Sequence, residues 1–431
     1  MADRSSVGDF VSLQRGTTYK GSLVGKPGPA LLGLGSIRPG GGFRDGDYKT
    51  YGGDCPKNLM LFPGDLFVSL KGATKDGEMI GSIARVPSAV ASGRLTQDTV
   101  KLVFHEPDER TSNFLYWLLR TPQYRSYCAG RATGSAVVAL SRDDFLAYPV
   151  PQITPIRLRV AELLEELESK IELNRKVNET IEAMARALFK SWFVDFDPVH
   201  AKAEGRDPGV PMSIAALFPD SFEDSELGEI PAGWTVGMLG KVLSQRLERC
   251  ARSTETMARP YVPIECITAR SLFLSESKAG EEAQSSLTKF YKGDLLFGAM
   301  RPYFHKVCIA PFDGTTRTTV FVLFPKQVSD FSFATLLLHH PNTIDYATRH
   351  STGTTIPYAM WNGSLENMPV LLPPSELRQA FNNAVYPILS RIPKPYFENL
   401  TLATLRDLLL PKLISGDLQI AGAGDNHEEG A

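Results

Sequence analysis

Two copies of one pattern run through the chain, and that repeat limits the fold more than any other feature. "FPGDLFVSLKG" (62–72) is matched by "YKGDLLFGAMRP" (291–302), with Gly64-Asp65 over Gly293-Asp294. "QDTVKLVF" (97–104) is matched by "RTTVFVLF" (317–324). "FLYWLLRTPQYRSYCAGRATGS" (114–135) is matched by "FATLLLHHPNTIDYATRHSTGT" (333–354), which sets Pro122 over Pro341, Tyr127 over Tyr346 and Gly134 over Gly353; further on, Pro149 falls over Pro369. Near the start of each copy, "VGDFVSL" (7–13) resembles "LGKVLSQ" (239–245). Each copy is about 150 residues long. A solenoid needs a shorter unit and more of them. Two copies of a single globular fold are therefore expected, with similar frames and different surfaces.

Within a copy the pattern is mixed. "GDLFVSLKG" and "GSIARVP" are short β-rich runs that read as a hairpin, and "TVKLVFHE" is a further strand. "NFLYWLLRTPQYRSYC" carries apolar residues at helical spacing and is expected to end before Gly130. The fold class is α+β. Each copy is followed by a proline-bounded extended connector, "YPVPQITP" (148–155) and "MPVLLPPSE" (368–376), because a proline disfavours helix in the residue before it.

A helix is expected after each connector. Residues 156–192 contain no Gly or Pro, and a seam of Leu164, Leu167, Ile171, Asn174, Asn178, Ile181, Ala185, Leu188 and Trp192 advances in steps of three and four. That is the spacing of a helix laid along another helix. At 1.5 Å per residue it is roughly 55 Å long. Asn174 and Asn178 occupy seam positions: either the seam is locally wet, or a buried polar pair fixes register. The natural partner is residues 375–414, where Leu402, Leu405 and Leu409 share a face and Gly416 is the stop. Pro387, Pro393 and Pro395 should kink or break its first half. The residues after 416 read as a frayed tail.

At 431 residues and 43 % hydrophobic content, two or three globular domains are expected. No apolar run is long enough to span a bilayer, and "MADRSS" has no secretory h-region. The five cysteines (Cys55, Cys128, Cys250, Cys266, Cys308) are odd in number and form no Cys-x-x-Cys pair, which suits a reducing cytoplasm. A net charge of −2 hides an alternation. Residues 1–150 hold 18 Lys/Arg against 14 Asp/Glu, 151–230 hold 9 against 16, 231–373 hold 14 against 11, and 374–431 hold 5 against 7. The two repeat copies are the mildly basic blocks and can face phosphates; the acidic blocks cannot lie along DNA.

Catalytic signatures are missing. There is no phosphate-loop motif, no G-x-S-x-G elbow and no H-E-x-x-H, and Gly33-Leu34-Gly35 lacks the third glycine of a dinucleotide loop. One stretch invites chemistry: "RALFKSWFVDFDPVHAKAEG" (186–205) brings Asp195, Asp197 and His200 together. They are either metal ligands or the wet end of a helix that buries Phe189, Trp192, Phe193 and Phe196. Metal sites recruit ligands held by separate rigid elements. Here all three follow one helix end and precede what reads as a flexible acidic linker, so a docking patch of aromatics, with Trp192 and Phe193 at its centre, is the expectation.

The better candidates are polar loops at equivalent places in the two copies. "KGATKDGEM" (71–79) offers Lys71, Thr74 and Lys75; the matching "RPYFHK" (301–306) offers Arg301, Tyr303, His305 and Lys306. "GRATGS" (130–135) offers Arg131, Thr133 and Ser135; the matching "RHSTGTT" (349–355) offers Arg349, Thr352 and Thr354. Cations, hydroxyls and glycine-freed amides suit phosphate contact and can reach base edges. Changed side chains on one shared face point to divergent specificity.

These features resemble a known family. "LESKIELNRKVNETIEAMARALFKSWFVDFDPVHAKAEGRDPG" (167–209) is similar to the central conserved region of the specificity subunits of type I restriction–modification systems. "ELGEIPAGWTVGMLG" (226–240) resembles the start of that family's second target-recognition domain, "LATLRDLLLPKLISGDL" (402–418) its C-terminal conserved region, and "YGGDCPKNLMLFPGDLFVSLKGATKDGEMIGSIARV" (51–86) a type of first recognition domain. The resemblance implies two tandem-repeated α+β target-recognition domains separated by two long antiparallel coiled-coil-like helices. It assigns 1–150 and 231–373 to the recognition domains, 151–200 and 374–416 to the helical spacers, 201–230 to a linker and 417–431 to a tail. It further implies that each domain reads one half of a split double-stranded DNA site and that the helices set the unread gap, with globules one DNA turn (roughly 34 Å) apart. Docking of two methylation and two restriction subunits is implied, with Leu164, Leu167, Ile171, Asn174, Asn178, Ile181, Leu188, Trp192, Phe193, Leu405 and Leu409 serving helix or subunit docking. No cofactor is expected in this chain; S-adenosylmethionine, ATP and magnesium belong to the partners, and the subunit is non-catalytic and cytoplasmic. Pro393 and Pro395 depart from the continuous second helix usual in the family.

Overall fold

A computed structural model describes residues 5–44, 48–72, 78–133, 138–284, 286–353 and 355–416. The chain divides into two units: residues 1–170 with 402–431, and residues 171–401. Thr74, Lys75, Ser135, Thr354 and the 417–431 tail lie outside the described residues.

The first unit is built on a four-stranded antiparallel sheet in the order β1-β4-β2-β3, made of β1 (Val11–Arg15), β2 (Leu66–Ser69), β3 (Ile83–Arg85) and β4 (Thr99–Phe104). Every residue of β2 is buried, as the apolar run "LFVS" requires of a central strand. Two helices follow. Asp108 caps α1 (Glu109–Leu118), and Thr121 caps α2 (Pro122–Arg131), whose proline sits in the first turn where a missing N–H costs nothing. The single helix expected over this stretch is thus two, and the second runs through Gly130, because Pro122 starts a helix more readily than it continues one.

The second unit repeats the frame. Strands β5 (Leu243–Gln245), β6 (Leu295–Gly298), β7 (Val307–Ile309) and β8 (Val320–Pro325) pair in the order β5-β8-β6-β7. Helices α4 (Phe331–His339) and α5 (Pro341–Arg349) follow, again divided at an X-Pro step. The Gly-Asp turn before the second sheet strand is shared: Gly64 and Gly293 have φ 91° and 90°, and Asp65 and Asp294 each accept the amide of the residue three before, at 2.8 Å. Each connector closes its copy: Val7 N–H donates to Tyr148 O, and Leu239 N–H donates to Met368 O, both at 2.9 Å. The smaller sheets differ. Ala30–Leu32 lies parallel to Gly93–Leu95 in the first copy, whereas Arg249–Cys250 lies antiparallel to Leu287–Phe290 in the second.

The long helix α3 spans Pro155–Phe193. The second helical region is broken: α6 (Ser375–Leu389) carries Pro387, and α7 (Lys394–Leu409) begins only after Pro393. Within the second unit Asn174 Nδ2 donates to Glu398 Oε2 (2.9 Å) and Asn399 Oδ1 (2.8 Å), and Asn178 Nδ2 donates to Ile392 O (3.2 Å). The break at Pro393 leaves the Ile392 carbonyl without a helical donor, and Asn178, 2 % exposed, supplies one. Within the first unit Glu168 pairs with Arg406 (3.0 Å), and Arg157 donates to the carbonyls of Leu413 (3.1 Å) and Ile414 (2.7 Å). In each unit the partner number falls as the α3 number rises, so the two strands of the pair are antiparallel there.

The observed seam departs from the expected one. Leu164, Asn174, Asn178, Ala185 and Trp192 are buried; Leu167, Ile171, Ile181 and Leu188 are half-buried, and the full burial near the end passes to Glu182, Phe189 and Phe193. Leu409 is half-buried while Leu405 is exposed, because Arg406 takes the inward position to meet Glu168. A globule at one end of a helix widens its buried stripe beyond a two-helix seam.

Residues 201–230 are not a free linker. A helix (Asp197–Ala203) and a hairpin (Phe222–Ser225 with Gly228–Pro231) bury Val199, Phe218 and Ile230. A few well-spaced apolar residues anchor a stretch whose charge suggested solvation.

Candidate nucleic-acid interface

In both copies the two loops singled out by the repeat meet through their main chains. In the first, Leu140 N–H donates to Leu70 O (2.9 Å), Gly72 N–H to Val138 O (2.7 Å), and Thr133 and Ala139 exchange bonds of 3.0 and 2.9 Å. In the second, Ala359 N–H donates to Ala299 O (2.8 Å), Arg301 N–H to Pro357 O (2.7 Å), and Thr352 and Tyr358 exchange bonds of 2.9 and 2.8 Å. The same junction is built twice, and only its side chains change.

In the first copy Lys71 reaches Asp98 (3.1 Å). Arg131 is exposed; its guanidinium lies 4.1 Å over the Tyr127 ring and 3.5 Å from Asp144, which leaves a preset fork at the surface. Thr133 is exposed beside it. Asp98 also lines a cleft of about 900 Å³ walled by Tyr19, Arg44, Tyr48, Lys49 and Thr96. Aromatic faces and cations in one groove suit nucleic-acid bases and phosphates. The repeat does not reveal this groove, since Tyr19, Arg44, Tyr48, Lys49 and Thr96 fall outside the matched segments; an isolated Tyr or Lys carries no signal in sequence.

A buried arginine holds the wall of that cleft. Arg94 donates to Asp54 O (3.1 Å), Leu95 O (3.4 Å), Thr17 Oγ1 (3.1 Å) and Thr18 O (3.1 Å), and its guanidinium sits 4.9 Å over Tyr51. Tyr51 Oη in turn accepts Lys20 N–H at 3.2 Å. Tyr19 is therefore carried on a loop fixed at both ends.

In the second copy "RPYFH" forms a tight turn in which Arg301 and His305 both take left-handed backbone (φ 52° and 53°). For non-glycine residues that costs of order 1 kcal/mol each and persists only where the surroundings enforce it. The enforcement is visible. His305 Nε2 lies 2.9 Å from His339 O, Arg270 N–H donates to His305 O (2.7 Å), and Lys306 Nζ donates to Ile264 O (2.8 Å). Burial pushes the His305 imidazole and the Lys306 ammonium down from their usual values. These two expected contact residues thus spend their polar atoms inside the protein. Tyr303 and Phe304, just before them in the turn, are exposed, and so are Arg349 and Thr352 nearby.

The 186–205 stretch holds no metal centre. Asp195 pairs with Lys190, Asp197 is the first residue of the next helix, and the His200 ring lies 4.5 Å from Phe222. Among the described residues no cluster of His, Cys, Asp and Glu could hold a metal ion. Trp192 and Phe193 pack on Phe381 (5.3 and 4.8 Å between ring centres), with Phe218 and Phe333 closing the cluster. Both rings are buried within the second unit, so a separate subunit does not dock on them.

No protein-family model matches the chain. The type I restriction enzyme MjaIX specificity subunit of Methanocaldococcus jannaschii is 26 % identical over 349 residues, covering 77 % of this chain and 75 % of the relative. The type I restriction enzyme HindI specificity subunit of Haemophilus influenzae is 25 % identical over 359 residues, covering 71 % and 77 %. The chain is a homologue of type I restriction specificity subunits. The crystal structure of a type I restriction–modification S subunit from M. genitalium superposes with a TM-score of 0.52 at 15 % identity, covering 96 % of this chain and 97 % of that one, and so shares the specificity-subunit fold. Among the described residues no helix is long and apolar enough to cross a membrane.

Proposed function

We propose that this chain is the non-catalytic DNA-recognition subunit of a type I restriction–modification complex, each repeat copy reading one half of a bipartite site. Recognition within such a system follows from the curated homologues. The observation that carries the bipartite reading is the loop junction built identically in both copies with different side chains upon it. Two such surfaces on one chain match two unlike half-sites, since phosphate contacts position a protein while side chains at base edges specify.

The helices α3 and α7 set the unread gap and dock the methylation subunits. Leu173, Val177 and Met184 of α3 are exposed at helical spacing, as are Phe397, Leu405 and Leu408 of α7. Exposed apolar residues in register on a helix mark a protein contact. Two methylation and two restriction subunits complete the assembly, and S-adenosylmethionine, ATP and magnesium serve those partners.

The test is a domain exchange. The methylated sequence is read by sequencing host DNA, and residues 1–150 are then replaced by those of another specificity subunit. One half of the methylated sequence should change. A change in both halves, or binding of the assembled complex to all sequences equally, refutes the proposal. Binding to the specific site should also weaken steeply with salt.

A further inference from the structure

The turn at 301–305 displays two large aromatic side chains where a soluble protein gains nothing by showing them. Tyr303 and Phe304 are 49 % and 47 % exposed, with ring centres 4.8 Å apart and planes tilted by 56°. Their backbone is clamped at both ends: Arg301 N–H is bonded to Pro357 O, and His305 is bonded through its ring to His339 O and through its carbonyl to Arg270 N–H. The rings are therefore presented on a stiff backbone mount, so little loop ordering remains to be met on binding. Ile356, 48 % exposed, stands in the loop that receives Arg301, and the turn packs on α5, whose last residue is the exposed Arg349. Arg270, also exposed, adjoins the turn through its amide bond to His305 O. The patch is an apolar tip on a fixed backbone turn, with two exposed arginines adjoining it.

Cations beside an apolar tip select an anionic partner with flat apolar layers, and stacked nucleic-acid bases between phosphates are such a partner. Resting on the DNA-recognition reading above, we propose that Tyr303 and Phe304 form a wedge that enters the base stack of one half-site and pries one base step apart, while Arg270 and Arg349 hold the flanking phosphates. The second copy then selects sequence partly by how readily a step unstacks, which favours a pyrimidine–purine step at that position. Nothing equivalent is needed in the first copy, where Gly72 stands at the position of Arg301.

The experiment uses the chain assembled with its methylation subunits and duplexes of its own methylated sequence, with 2-aminopurine placed at successive positions of each half-site. Apart from the bases that the methylation subunits themselves extrude, fluorescence should rise at one step of one half-site on binding. Tyr303→Ala/Phe304→Ala should abolish the rise and weaken specific binding by about 5- to 150-fold, the scale of losing stacked aromatic contacts, and leave the salt slope unchanged. Phe304→Leu, which keeps apolar bulk, should retain part of the rise. A complex that binds its sequence specifically with no unstacking at any position other than the methylated bases overturns the wedge and leaves DNA recognition standing. A double variant that folds but no longer joins the methylation subunits makes the rings a protein contact and overturns the wedge as well. Equal binding to all sequences by the unaltered complex overturns recognition itself.

Discussion

Replacing Arg94 with methionine isolates what a buried charge does for the first recognition surface. Arg94 is 4 % exposed, and all four of its hydrogen bonds go to neutral acceptors: three carbonyls and the Thr17 hydroxyl. Bonds from a charged donor contribute about 1.5–3 kcal/mol each, against several kcal/mol for taking the guanidinium out of water. Methionine keeps most of the volume but strands the acceptors, so the net loss should be about 2–4 kcal/mol. The loss is local, because the acceptors belong to the loops at 17–18 and 54–55 and to Arg94's own strand neighbour. Hydrogen exchange on the whole chain should show amides at 17–20 and 51–55 opening about 30- to 700-fold more often, at tenfold per 1.4 kcal/mol. Unchanged exchange at those amides refutes Arg94 as the clamp of the Tyr19 loop.

Other perturbations probe the helices and the former suspect stretch. Trp192→Ala should cost about 3–5 kcal/mol, read as a lowered melting transition of the second unit, since its ring is packed on Phe218 and Phe381. Asp195→Asn with Asp197→Asn should leave DNA modification by the complex unchanged; a loss of bound metal and of activity together would contradict a purely packing role for this helix end. Glu168 and Glu182 should respond to pH in opposite senses. Burial alone would push the Glu168 carboxyl up, but the Arg120 and Arg406 guanidiniums outweigh it and hold it below the usual range, so its stability is present above the unfolded value and lost as pH falls through the folded one. Burial pushes Glu182 up despite its bond from Ser271 and its pairing with Arg186, so its stability is present at low pH and lost as pH rises through the raised value. Glu168→Gln and Glu182→Gln should each erase one of these slopes in melts recorded across pH.

What could be read without coordinates was the frame. The Gly-Asp turn, the β2–β3 hairpin and strand β4 announce themselves through glycine and short runs of β-branched and apolar residues, and the repeat doubled every such signal. Helix phase was less legible. Leu188 and Leu405 were expected to face inward, yet Phe189 and Arg406 take those roles, because a globule and a salt bridge respectively decide which face is covered. The site was legible as a pair of loops and illegible as a surface. His305 and Lys306 look like contact residues by type but are props by geometry, and the Tyr19–Tyr48 cleft gathers residues that no spacing links.

The small sheets bear on how such a protein acquires a new target. Their third strand joins in parallel in one copy and antiparallel in the other, although the four-stranded sheets on which both rest share one strand order. In each case that strand lies between the first sheet strand and the Gly-Asp turn, a stretch whose path has been rerouted while its two ends stayed put. Rewriting specificity therefore does not require a new domain. A graft of roughly fifty residues, from the end of β1 to Gly64 or from the end of β5 to Gly293, moves Tyr19 and Tyr48 or Arg270 while the loop junctions at 70–72 and 299–301 stay in place, so it should alter one part of a target and leave the rest as it was.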